Sequence, residues 1–214
     1  MTKYLLLLFL FFSSPANIFS FKALEAETKE SFFESGRENI SKKKYSDALD
    51  DFNNYIKSNP DNWRGYHNRA ISKEFLGDFL GAIADYSKAI ELNPNPWEKS
   101  FFWRGYLYEK NENYDRAISD YSSAIKINPE YEKAYFFRGY LRYILEDYKG
   151  SIEDYSKVIE LNPNNEDAYS GRGASKNQLK DFDSAIKDFT EAININPNSY
   201  CLLYTSPSPR DGRI

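Results

Sequence analysis

The sequence predicts an all-α chain, a right-handed α-solenoid built from stacked helical hairpins. Three observations predict it: a period near 34 residues, helical spacing of apolar residues within each period, and a proline closing each one. The dipeptide Asn-Pro recurs with its proline at Pro60, Pro94, Pro129, Pro163 and Pro197, at spacings of 34, 35, 34 and 34. A fixed period of this length marks a repeat architecture, in which each unit buries its apolar face only by stacking on a neighbour.

Each period divides into two helices. The phrases before the prolines, such as "AIADYSKAIELNP", place Ala82, Tyr86, Ala89 and Ile90 on one face of a helix of about three turns. Proline then stops it, since its ring cannot continue the backbone hydrogen bonding. Upstream lie phrases such as "YHNRAISKEFLGDF", which read as a first helix. Short turns join the two at Gly77-Asp78, Glu112-Asn113, Glu146-Asp147 and Lys180-Asp181, each followed by an aromatic residue.

These residues closely resemble the tetratricopeptide repeat family. A large aromatic stands early in each first helix (Phe32, Tyr66, Phe101, Tyr135, Tyr169), and a small residue follows four places later (Gly36, Ala70, Gly105, Gly139, Gly173). The second helices carry Ala48, Ala82, Ala117, Ser151 and Ala185. The resemblance sets five repeats at 29–62, 63–96, 98–131, 132–165 and 166–199, with Trp97 a one-residue insertion.

Repeats two to five depart from the common family pattern by an arginine before the small residue: Arg69, Arg104, Arg138 and Arg172. Sixteen residues after each comes an acid, Asp85, Asp120, Asp154 and Asp188. Two readings are open, a ligand-binding arginine ladder or a structural pair in every hairpin. The strict register of acid with base favours structural pairs. Repeat one has Ser35 but keeps Asp51, so this aspartate requires another partner.

The family resemblance implies that the first helices line a concave groove for peptides or partner helices. The residues expected to face it are Arg64, His67, Asn68, Ile71, Lys99, Phe102, Tyr106, Lys133, Phe136, Tyr140 and Tyr143. Aromatic in the middle and basic at one edge, this set suits a segment with apolar anchors and some acidic character. The carboxylate-clamp version of the family, which grips chaperone C-termini, needs particular lysines and asparagines; Phe33, Arg37, His67 and Ile71 do not reproduce them.

Composition restricts the chemistry. A net charge of −4 over 214 residues, with no basic block, argues against nucleic acid as partner. One cysteine and one histidine argue against metal centres. The sequence shows no glycine-rich phosphate loop, nucleophile elbow or catalytic constellation, so no cofactor and no catalytic residue are expected.

Residues 1–20 have the order of a secretory signal: Lys3, the apolar run Tyr4 to Phe12, then small residues that allow cleavage after Ala16 or Ser20. An uncleaved N-terminal anchor is the other reading, although nine apolar residues are too few to span a bilayer. Residues 21–28 are a linker. The expected location is the periplasm or cell envelope, with membrane contact only through an uncleaved N-terminal segment. At the other end, "CLLYTSPSPRD" equals the translation of a transposase-type sequencing adapter, so residues 200–214 read as a non-native tail. The expected function is a non-enzymatic protein-binding scaffold. The alternative is the N-terminal interaction arm of a larger enzyme whose catalytic domain is lost by truncation.

Overall fold

The structure is a computed structural model that describes residues 30–93 and 95–197. The signal or anchor segment and the tail therefore lie outside the described residues. Among the described residues ten helices run in order: α1 over residues 30–41, α2 Tyr45–Ser58, α3 Trp63–Phe75, α4 Phe79–Leu92, α5 Glu98–Lys110, α6 Tyr114–Ile127, α7 Glu132–Ile144, α8 Tyr148–Leu161, α9 Glu166–Gln178 and α10 Phe182–Ile195. They pair as antiparallel hairpins. The chain forms two compact units, Met1–Pro96 and Trp97–Ile214; α1 to α4 lie in the first and α5 to α10 in the second.

The turn inside each hairpin follows from one backbone rule. A single residue takes a left-handed conformation at Lys43, Gly77, Glu112, Glu146 and Lys180, with φ between 57° and 85°. The next residue turns its amide back onto the ending helix: Asp78 N donates to the Lys73 carbonyl at 2.9 Å and Asp147 N to the Arg142 carbonyl at 2.8 Å. This satisfies carbonyls that the helix end leaves open. That same residue then caps the second helix. Asp78 accepts from Gly81 N at 2.9 Å, and Asp147 accepts from Gly150 N at 3.0 Å. Only repeat two uses glycine at the left-handed position, where a Cβ carries a steric cost.

Close approach of the two helices depends on the small residue of the first. A Cβ added at Gly36 would sit 2.7 Å from the Phe52 ring, and Ala70 has no exposed surface. Around these contacts the second-helix aromatics fill the interior: Phe52, Tyr86 and Tyr121 have no exposed surface and Tyr155 is 3% exposed. In the first unit Phe33, Ala48, Phe52 and Tyr55 form one cluster. In the second, Phe102, Ala117, Tyr121, Ala124, Ala134 and Leu141 form another that joins two repeats.

Each arginine–aspartate couple is a two-pronged bond across its hairpin. Arg69 reaches Asp85 through Nε at 2.8 Å and Nη2 at 2.7 Å, and Arg104, Arg138 and Arg172 reach Asp120, Asp154 and Asp188 by the same two atoms within 2.9 Å. In three of them the remaining nitrogen reaches the previous repeat. Nη1 of Arg69 donates to Asn53 at 2.9 Å, that of Arg138 to Ser122 at 2.9 Å, and that of Arg172 to Ser156 at 3.2 Å. The early aromatic stacks on the guanidinium three residues later, at 5.4 Å for Tyr66 and 5.6 Å for Phe101, Tyr135 and Tyr169. In repeat one, Asp51 instead accepts from Ser35 at 2.8 Å and from Asn39 at 2.9 Å.

A second cation, one turn after the arginine, supports three of these aspartates. Lys73 meets Asp85 at 2.8 Å, Arg142 meets Asp154 at 2.9 Å and Lys176 meets Asp188 at 2.7 Å. Repeat three has Tyr108 there, and that ring packs 5.9 Å from the Arg104 guanidinium instead. Two of the carboxylates, Asp120 and Asp188, respond in opposite directions. Burial raises the Asp120 carboxyl above its ordinary value despite the bonds from Arg104. Burial also acts to raise Asp188, but Arg172 and Lys176 together more than offset it and hold that group below its ordinary value.

Replacing Glu146 with glycine should raise stability by about 0.5–1 kcal/mol, the left-handed penalty less the entropy of glycine in the unfolded chain; thermal unfolding measures it. Arg104→Ala should cost about 3–5 kcal/mol in the hydrogen-exchange protection of α6, because it strands a buried charge. Arg172→Ala should cost less, since Lys176 remains on Asp188. By linkage, Asp120 binds its proton more tightly folded than unfolded, so its contribution to stability declines as pH rises from about 4 through its raised folded value. Asp188 acts in the opposite sense, losing its contribution as pH falls below about 4 through its lowered value. Carboxyl NMR titration should show Asp120 above and Asp188 below the ordinary value, and Tyr108→Lys should bring Asp120 down.

Candidate protein-binding face

The first helices of the second unit lie side by side. Tyr106 on α5 meets Phe137 on α7 edge to face at 5.9 Å, and Gln178 on α9 donates to the Tyr143 hydroxyl at 3.4 Å. On α5, residues 99, 103, 106 and 110 follow a helical stripe of spacing four, three and four. Lys99 and Lys110 are exposed, and Trp103 and Tyr106 are half-buried. The stripe is held internally: Trp103 packs on Tyr106 at 5.8 Å, and the Lys110 ammonium lies 5.0 Å above the Tyr106 ring. On α7 the matching residues are Lys133, exposed, and Tyr140, 45% exposed.

Two of the residues expected on this face belong to the interior. Phe102 is 2% exposed and sits among Trp103, Tyr121, Tyr131 and Phe137, with ring centroids 5.1 to 5.6 Å apart. His67 is 3% exposed and packs edge to face on Tyr86 at 5.3 Å. Both lie one residue away from the outward stripe, and a one-residue step turns a helical side chain by about 100°. Phe136 is half-buried against Phe137 and Tyr155, so it supports the face from beneath. Tyr143 is half-buried beside Tyr148 at 5.6 Å.

On the first unit, Arg64 is exposed with its guanidinium 5.9 Å from the Phe33 ring. Asn68 donates back to the Arg64 carbonyl at 2.9 Å, and Ile71 is half-buried. Sequence reasoning missed Trp103, Lys110 and Gln178. Counting the stripe from Lys99 in steps of four and three, instead of three and four, would have found the first two. Gln178 leaves no such signal, because only packing brings it to Tyr143.

Among the described residues no cluster of three or more His, Cys, Asp or Glu could hold a metal ion. The buried aspartates bond their arginines, and the half-buried Glu109 accepts from the Tyr121 hydroxyl at 2.6 Å. Burial raises the Glu109 carboxyl above its ordinary value, and burial together with Glu109 raises the Tyr121 hydroxyl. Among the described residues no helix is long and apolar enough to cross a membrane. Phe102→Ala should therefore cost about 3–5 kcal/mol, while Tyr140→Ala should change stability by less than about 0.5 kcal/mol. Urea unfolding of the two variants compares them; equal losses would mean Tyr140 is a core residue.

Comparison with known proteins agrees with this architecture. A tetratricopeptide repeat model matches residues 98–131 and 166–199, a second matches 64–96, and a related repeat model matches 139–179. The chain is 32% identical over 85 residues to Hsp70-Hsp90 organizing protein 3 of Arabidopsis thaliana and to Hsp70-Hsp90 organizing protein of Triticum aestivum. Those segments cover 40% of this chain but only 15% and 14% of the two relatives. The crystal structure of MamA matches with a TM-score of 0.74 at 21% identity, covering 82% of this chain and 96% of that one. YrrB, described as a TPR protein with an unusual peptide-binding site, matches with a TM-score of 0.74 at 17% identity, covering 86% and 95%. A tetratricopeptide repeat protein from Parabacteroides merdae matches with a TM-score of 0.74 at 20% identity, covering 83% and 70%. At such identities the likeness shows the fold. With its repeat period, hairpin geometry and matched repeat models together, the chain belongs to the tetratricopeptide repeat family.

Proposed function

We propose that this chain is a non-enzymatic scaffold that holds a peptide or helical segment of a protein partner outside the cytoplasm. The observation that carries the reading is the ordered face on α5 and α7. Two half-buried aromatic rings, Trp103 and Tyr106, stand beside the exposed Tyr140 and are flanked by Lys99, Lys110 and Lys133. Rigid aromatic rings lose little entropy on binding and supply large contact areas, and lysines at the margin attract acidic side chains. The occupant that fits is a segment with one or two apolar anchors and neighbouring Asp or Glu. Arg64, Asn68 and Ile71 offer a smaller set of the same kind on the first unit. A peptide-binding site named for YrrB, a fold neighbour, supports the same reading. The exported location rests on the signal-like order of residues 1–20.

A displayed peptide library panned against the purified chain tests the face. Selected peptides should combine an aromatic or leucine anchor with acidic neighbours. Tyr106→Ala with Tyr140→Ala should weaken them at least 30-fold, about 2 kcal/mol, with the helical circular dichroism unchanged. Binding retained by that variant would move the site elsewhere. Location is tested by N-terminal sequencing of the secreted or membrane-bound protein, where a mature chain beginning at residue 17 or 21 is expected.

A further inference from the structure

Two exposed lysines at the ends of the α5 stripe are held in place by aromatic rings. The Lys99 ammonium lies 4.8 Å from the centre of the Trp97 ring, and that of Lys110 lies 5.0 Å from the centre of the Tyr106 ring. A cation seated over a ring gives up part of the freedom of its long side chain before any partner arrives. Between the two stand Trp103 and Tyr106, packed on each other at 5.8 Å. Eleven residues of helix set the two Cα atoms about 16 Å apart. Lys110 leans back four residues onto its ring and Lys99 only two, which brings the ammonium groups to about 14 Å. The two ends differ: Lys133 takes on α7 the repeat position of Lys99, whereas Ile144 takes that of Lys110. The stripe also contains no small residue. The glycine of α5, Gly105, is spent on the buried side against Asp120 and Tyr121. An outward row of lysines and large rings favours an extended chain lying along it over a second helix packed close.

We infer that this site, on the protein-binding reading proposed for it, takes an extended segment in which two acidic residues four apart bracket one aromatic or leucine anchor. Side chains of an extended chain alternate, so residues i, i+2 and i+4 share one face and span about 13 Å. The central side chain then lies on Trp103 and Tyr106, and the outer carboxylates reach Lys99 and Lys110, with flexible glutamates closing the remaining distance. Acids two apart meet one lysine only, and acids six apart, at about 20 Å, overshoot both. A helical segment would need about nine to eleven residues for the same reach, so spacing separates the two kinds of occupant.

Three fluorescent peptides of one composition test the spacing by titration into the purified chain. The first is Gly-Ser-Glu-Thr-Phe-Thr-Glu-Ser-Gly, and its two rearrangements place the acids two and six apart about the same phenylalanine. The first should bind at least threefold more tightly than either rearrangement. Lys110→Gln should weaken it at least threefold and abolish the preference for spacing. Lys99→Gln should weaken it less, because Lys133 remains at that end; both variants should keep the helical circular dichroism. Equal affinity for the three peptides overturns the inference, and so does a preference that survives Lys110→Gln. If Tyr106→Ala with Tyr140→Ala still removes equally bound peptides, the binding face stands without the spacing. Failure of all three peptides overturns the inference too. The displayed library then separates the cases: selected peptides that lack the spacing leave the scaffold reading intact, and an empty selection removes both.

Discussion

The guanidinium at Arg69, Arg104, Arg138 and Arg172 is the constraint on which the rest of the stack depends. Three of these groups, Arg69, Arg138 and Arg172, each tie three helices: their own, through the backbone; the partner helix of the hairpin, through the aspartate; and the second helix of the preceding repeat, through Asn53, Ser122 or Ser156. An apolar face alone would tolerate sliding by a turn, because one turn of isoleucines resembles another. A planar fork that must meet both carboxylate oxygens does not tolerate it. Buried ion pairs contribute little net stability once desolvation is counted. Their value here is register, and the aromatic stacked on each guanidinium narrows the geometry further.

Register in turn decides what the first helices present. With Gly105 against Asp120 and Tyr121, α5 is pinned so that Phe102 points inward and Lys99, Trp103, Tyr106 and Lys110 point outward. Phe137 supports the ring of Tyr106 from the next repeat. A ring already held edge to face gives up little freedom on binding, so the same packing that builds the core prepares the face.

Small departures from the repeat show the same logic. Ser151 replaces the alanine of the other repeats, yet it is fully buried, and its hydroxyl pairs with that of Ser175 from the next repeat at 2.9 Å. A polar group in that position is tolerated because the two hydroxyls satisfy each other. Tyr108 replaces the second cation and leaves Asp120 in a less compensated site, the opposite outcome for the same backbone geometry.

The sequence by itself determined the repeat, the helices, the turns and the pairing of arginine with aspartate. The reason is that each depends on neighbours within one 34-residue period: proline stops, left-handed turn positions, capping Asp and Asn, and a sixteen-residue spacing that folds onto itself across a hairpin. The tertiary structure alone decided which aromatics are core and which are surface. Phe102 and Trp103 are adjacent and both apolar; the helix sets them about 100° apart, and only the packing of the neighbouring repeat sends one inward and leaves the other at the edge of the face. It also decided the third bond of Arg69, Arg138 and Arg172, because this depends on what lies on the far side of a second helix. That is information between repeats, and no spacing within one repeat contains it.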